Sequence, residues 1–213
     1  MKISCIAGFL IFLMIRLPGL ADSHFSDRAG IGFRGSYWHQ RSHNAVVSVR
    51  TTDVFDNHVD VGGIGGWLSF FSGAGENGLI VFSLGGIAHV EVVEEGLFDE
   101  HVDVQVVSPF LIGYQHIIFS DRNTSAFLPY VSAGVGPYIM THVETIQYSF
   151  MDDETLVRNK VKPGAYLGTG GYFLFTYWLA FHGEMRYHLV NFNPDNTFSG
   201  FEVGFGFAFS WRR

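Results

Sequence analysis

Apolar and polar residues alternate with a period of two along most of the chain. The last segment is the clearest case. Phe201, Val203, Phe205, Phe207, Phe209 and Trp211 share one parity, while Gly200, Glu202, Gly204, Gly206, Ala208 and Ser210 share the other. The segment before it sets Phe181, Met185, Tyr187 and Leu189 against His182, Glu184, Arg186 and His188. Ile31, Phe33 and Tyr37 alternate with Gly32, Arg34 and Ser36; Ile80, Phe82 and Leu84 with Ser83, Gly85, His89 and Glu91. Val102, Val104 and Val106 alternate with His101, Asp103 and Gln105, and Val131, Val135 and Ile139 with Tyr130, Tyr138, His142 and Glu144. Side chains along a strand point to opposite faces in turn. The pattern therefore predicts strands with one apolar face and one polar or small face. With two Gly-rich segments, near 59–71 and 164–178, the number of strands comes to about eight.

The intervals between strands differ in length. The stretches 72–77, 120–124 and 176–178 are compact, whereas 41–58, the acidic 94–100, 148–160 and 193–197 are longer and polar. Short turns on one side, long loops on the other and strands of at least roughly 9–11 residues describe a transmembrane barrel. The predicted fold is all-β: an eight-stranded antiparallel up-and-down barrel with both termini on the short-turn side.

Composition decides which face is wet. Charged residues are 15% of the chain, against roughly 25% in soluble domains. A soluble barrel would turn Gly204, Gly206, Ala208 and Ser210 to water, and such exteriors carry more Lys, Glu and Arg. In a narrow membrane barrel these small residues face a crowded interior, which suits them. The net charge of −7 argues against a nucleic-acid partner, because phosphate binding needs a basic face. The single cysteine, Cys5, excludes an internal disulfide and a cysteine-rich metal site. The first 21 residues read as a secretory signal peptide: Lys2, the apolar run 6–15, then Gly19-Leu20-Ala21 with small residues at the cleavage positions. As a membrane helix the run is too short, and Arg16 interrupts it. The barrel is then residues 22–213, exported to the bacterial outer membrane.

The pattern, and in particular Pro129-Tyr130-Val131-Ser132-Ala133-Gly134-Val135-Gly136 and Phe205-Gly206-Phe207-Ala208-Phe209-Ser210-Trp211, resembles the small Gram-negative outer-membrane barrels of the OmpW and OmpA type. That resemblance implies a monomer with lipid and lipopolysaccharide around it. The aromatic C-terminal end looks like the signal read by the barrel-assembly machinery, with Arg212 and Arg213 added after it.

Two constellations could carry chemistry. Arg34, Glu91, Glu144, His182, Glu184 and Arg186 all have inward parity, with Glu202, His89 and His142. Charges inside so narrow a barrel must pair or lose their charge. Eight strands leave an interior just wide enough for side chains, so a plug is expected instead of a pore. The second constellation is Glu184-Met185-Arg186-Tyr187-His188-Leu189-Val190-Asn191, followed by Asn193-Pro194-Asp195-Asn196. It resembles the signature of the outer-membrane lipid A 3-O-deacylases. The resemblance implies His188 as general base, Glu202 as the residue that orients it, and ester hydrolysis through an activated serine. Val190 stands where that family has its serine, and strand parity turns His188 and Glu202 inward. The reading is therefore a non-enzymatic barrel with a plugged polar lumen and exposed acidic loops. A deacylase-like esterase is one alternative. A small barrel that binds or passes apolar molecules, suggested by inward Tyr130, Tyr138 and Met140, is the other. No cofactor or metal is called for. His142 with Glu144, and His182 with Glu184, are explained as lumen charge pairs, and Gly62-Gly63-Ile64-Gly65-Gly66 has no helix after it to bind phosphate.

Overall fold

A computed structural model describes residues 28–40, 47–53, 56–95, 99–118, 126–148, 154–191 and 198–212. The predicted signal peptide and the stretches 120–124 and 193–197 lie outside the described residues. The strands are β1 (Arg28–Gln40), β2 (Val47–Asp53), β3 (Asp56–Gly73), β4 (Gly78–Glu95), β5 (Asp99–Ile117), β6 (Phe127–Tyr148), β7 (Glu154–Leu174), β8 (Leu179–Leu189) and β9 (Gly200–Arg212). Each pairs antiparallel with its sequence neighbour from β2 to β9, and β1 pairs with both β9 and β3, which closes the ring. Closure leaves the ring without an edge.

The nine strands make eight staves. β1 pairs with β3 as far as Tyr37 opposite Ile64, and β2 resumes along the same strand with Val47 opposite Val61. A bulge at Gly63 marks the break. Its φ of 81° lies in the left-handed region, and a Cβ there would come within 2.5 Å of the Trp38 carbonyl oxygen. Glycine is the residue that tolerates both constraints. At the near end, which holds Arg28 and Arg212, β3 turns into β4 through Gly75 at φ 78°. Between β7 and β8, Thr176 Oγ1 accepts hydrogen bonds from the Leu179 and Trp178 amides at 3.0 and 3.3 Å.

The staves have unequal heights. β8, β9 and β1 have 11, 13 and 13 residues, whereas β6 and β7 have 22 and 21. β8 covers β7 only up to Ala165, opposite Leu189. Above that level the described strands are those of the wall from β2 to β7. This corrects three loop expectations. Most of 41–58, both flanks of 94–100 and most of 148–160 are strand. Their charges suggested loops, but a strand standing clear of a bilayer can be wet on both faces and keep its ladder.

Outward residues are apolar. Phe33, Ile64, Ile112, Val135, Leu167 and Phe205 are between 51% and 61% exposed. Their number and contiguity suit lipid, not water. Aromatic residues crowd the near end, with Phe127 against Phe173 at 4.5 Å and Trp178 against Phe209 at 6.0 Å.

The buried side chains inside the barrel fall into three storeys. Phe71, Leu79, Val81, Ile117, Tyr130, Tyr172, Ala180 and Ala208 form an apolar layer towards the near end. Trp38, Trp67, Ile87, Val107, Leu111, Tyr138, Met140, Tyr166, Val190 and Phe198 form another towards the far end. Between them each strand places polar or small residues, such as Ser83 on β4, Gln115 on β5, Ser132 on β6 and Glu184 on β8. The expected polar lumen is interrupted by these two apolar layers, which take in the inward Tyr130, Tyr138 and Met140; polar side chains occur in the middle storey and again beyond the far layer, where His89 is buried.

Candidate functional site

The middle storey holds a cluster of two cations and two carboxylates. Arg34 projects from β1, Glu184 and Arg186 from β8, and Glu202 from β9, where Arg186 and Glu202 stand directly opposite. Arg34 Nη1 donates to Glu184 Oε2 at 2.5 Å, and its Nη2 donates to both oxygens of Glu202 at 3.1 Å. Arg186 Nη2 lies 2.9 Å from Glu184 Oε2. Ser132 Oγ donates to the other Glu184 oxygen at 3.0 Å. All four charged side chains are at least 96% buried. Formal charge cancels within the cluster, which is the condition for holding ions out of water.

Aromatic rings and glycines shape the cluster. Arg186 lies over Trp67 at 4.9 Å and Tyr166 at 4.4 Å, and Arg34 over Trp67 at 5.2 Å. These are cation–π distances, and they suit a guanidinium out of water. Arg34 reaches Glu184 across Gly204, where a Cβ would sit 2.7 Å from Arg34 Cδ. Gly85 makes the matching space for the Trp67 ring, at 2.6 Å.

His188 tops the cluster. Its Nε2 is 2.9 Å from Glu202 Oε2 and its Nδ1 is 2.8 Å from Tyr138 Oη. Trp38 stacks on the ring at 4.2 Å. Both His188 and Glu202 are fully buried. No register shift interrupts the β8–β9 pairing, so no bulge turns them outward. Val190 is buried beside Phe198 in the far layer. Ser199 Oγ accepts from the Val190 amide and donates to its carbonyl, both at 3.0 Å. The hydroxyl on His188 thus belongs to Tyr138, and the serine nearby in sequence is bound to backbone.

The remaining inward residues stand apart from this cluster. His182 is buried on β8 between the cluster and the near layer, against the Tyr172 ring at 5.6 Å. Glu91 and Glu144 lie beyond the far layer, in one cross-strand row with Asp103. His142 Nε2 approaches Asp103 Oδ1 at 2.8 Å. Among the described residues no group of three His, Cys, Asp or Glu side chains has the geometry to hold a metal ion. Tyr130 and Tyr138, which suggested an apolar cavity, are fully buried and pack into the near and far layers. Sequence reasoning missed Ser132, Trp67 and Tyr166 as members of the site. Ser132 has inward parity and could have been found; the two rings become visible only through register.

No family profile matches the chain, and no curated protein matches it in sequence. Solved structures do. The outer membrane protein OprG from Pseudomonas aeruginosa superposes with a TM-score of 0.56 at 12% identity, covering 90% of this chain and 99% of that one. The N-terminal β-barrel domain of Pseudomonas aeruginosa OprF gives 0.49 at 12% identity, over 87% and 98% of the two chains. The fold is thus the closed antiparallel eight-stave barrel, of the kind found in small outer-membrane proteins.

Proposed function

We propose that the protein is an integral outer-membrane barrel that neither conducts nor catalyses, its lumen closed by the Arg34–Glu184–Arg186–Glu202 cluster. In this reading the near end faces the periplasm, and the tall wall with its acidic loops stands outside the bilayer. One observation supports it: a charge-balanced, buried cluster lies inside the barrel between two layers of buried apolar side chains. An ion crossing this path would have to part the ion pairs and then shed its water in a layer with nothing to replace it. The test is conductance in planar bilayers. The native barrel is expected to give no discrete steps, and steady nanosiemens-scale openings would overturn the reading.

A second reading, a deacylase-like esterase, has one point in its favour: the acid-oriented imidazole of His188 and Glu202 is assembled. Against it stand the burial of both residues and the apolar Val190. Mass spectrometry of lipopolysaccharide incubated with the reconstituted barrel decides between them. Loss of an ester-linked chain that His188→Ala abolishes would establish the esterase; no loss is expected. Val190→Ser asks whether a hydroxyl alone restores activity to the scaffold. Saturable uptake of a detergent-sized apolar probe would favour the apolar-ligand alternative.

A further inference from the structure

Above Ala165, β7 has β6 on one side and no described strand on the other. This free stretch carries Arg158, Lys160 and Lys162, which share the inward parity of Tyr166. They are the only run of cations at alternate positions in the chain, and they include two of its three lysines. Arg158 and Lys162 are exposed and Lys160 half-buried, and none of the three makes an ion pair among the described residues. Their neighbours on β6 do not neutralise them. Lys162 stands opposite Tyr138, Lys160 opposite Met140 and Arg158 opposite His142. Glu144, opposite Leu156, is the nearest acid in register and is otherwise engaged.

Height fixes what can reach this row. β8 has 11 residues, enough to cross a bilayer once. Its last residue, Leu189, therefore marks the upper rim of the apolar belt on this side, level with Ala165. Lys162 lies three positions further, about 10 Å along the strand, and Arg158 about 13 Å beyond that. With β8 ended, no described strand pairs with this stretch of β7 on that side. A headgroup lying over β8 would approach the three cations from there.

We propose that the free edge of β7 is a docking site for the phosphates of outer-leaflet lipopolysaccharide, held by Arg158, Lys160 and Lys162. A bare strand edge could instead add a strand from a partner. Pro163 offers no N–H to such a partner, and the row of cations repels a second copy, as edge lysines do in natural sheets. The same features suit an anionic lipid, which binds cations close to a membrane surface. Three carboxylates, Glu91, Asp103 and Glu144, line up on β4 to β6 of the same wall. No cation is set among them in register, so β7 carries the cationic row of the described wall.

The inference rests on the membrane reading above, so the test separates the two. The full barrel is reconstituted in phosphatidylcholine nanodiscs, and insertion is checked by its heat-modifiable gel mobility. A barrel that does not insert ends the membrane reading. For an inserted barrel, binding of lipopolysaccharide and of the same material stripped of phosphate is measured by native mass spectrometry. Intact lipopolysaccharide is expected to bind, and the stripped form to bind about tenfold to a hundredfold more weakly. The triple variant R158Q/K160Q/K162Q should lose as much for the intact form, and the arginine-preserving K160R/K162R should lose little. Excess inorganic phosphate should not displace the lipid. Equal binding by the triple variant, indifference to phosphate removal, or displacement by inorganic phosphate would each overturn the proposal.

Discussion

The closed lower barrel and the open upper wall are built from the same strands by different rules. Below Ala165, β7 has a strand on each side, and buried inward side chains gather in two apolar clusters. Above it, β7 keeps one partner, and Val157 and Val161 are 55% and 59% exposed. A single strand can thus be core in one half and surface in the other without changing its period. What changes is the inward residue type: Tyr166, Gly168, Gly170 and Tyr172 below, Arg158, Lys160 and Lys162 above. Closure demands matched volumes, and the open wall demands only solubility and a ladder.

The contrast can be tested first where it predicts the largest loss. Glu184→Ala leaves Arg34 and Arg186 without their shared carboxylate in a dry lumen, and unfolding by urea from vesicles should show a loss of about 3–5 kcal/mol. If an upper-wall change such as Arg158→Ala cost as much, the division into packed and open halves would fail. Gly85→Val should come next. A branched side chain there drives into the Trp67 ring and should lower stability by about 1–3 kcal/mol, read from the same urea curves. Tyr138→Phe removes one hydrogen bond from buried His188, and a loss of about 1 kcal/mol is expected, with no change in conductance. At the small end, Lys162→Gln should shift the unfolding midpoint by no more than about 0.5 kcal/mol equivalent, since Lys162 is exposed and makes no ion pair among the described residues. A larger effect would mean that the upper wall is packed by something the free edge does not display.

The fold was legible because alternation survives averaging. Phe201 to Trp211 states its two faces without reference to any other strand. The lumen cluster was legible in membership for Arg34, Glu184, Arg186 and Glu202, since parity alone put them inside. Parity does not give height. It placed Glu91 and Glu144 with the others, although an apolar layer separates them from the cluster. The wall was read as loops because Asp, Glu and Lys are poor strand formers on a half-buried surface. In a strand exposed on both faces that penalty loses its cause. Val190 in place of a hydroxyl was plain in the sequence. That the available hydroxyl at His188 would be Tyr138, fifty residues away, was not.

Arg34 also bears on how the chain finds one register. Its two carboxylates lie 150 and 168 residues further along, on β8 and β9. The seam between β1 and β9 joins the two ends of the described chain, a contact of high order that must come late in folding. Strands slipped by two residues keep their faces, so the Phe and Gly of β9 cannot by themselves reject such an error. A slip of that size moves a side chain by about 7 Å, which takes Arg34 away from Glu202. We therefore expect an Arg34→Met/Glu184→Leu/Glu202→Leu barrel to close with mixed β1–β9 registers, visible as more than one product when cysteines across the seam are crosslinked. A single product would show that the aromatic packing suffices. On the expected outcome, the buried charges act as a proofreading mark, satisfied only when first and last strand meet in step.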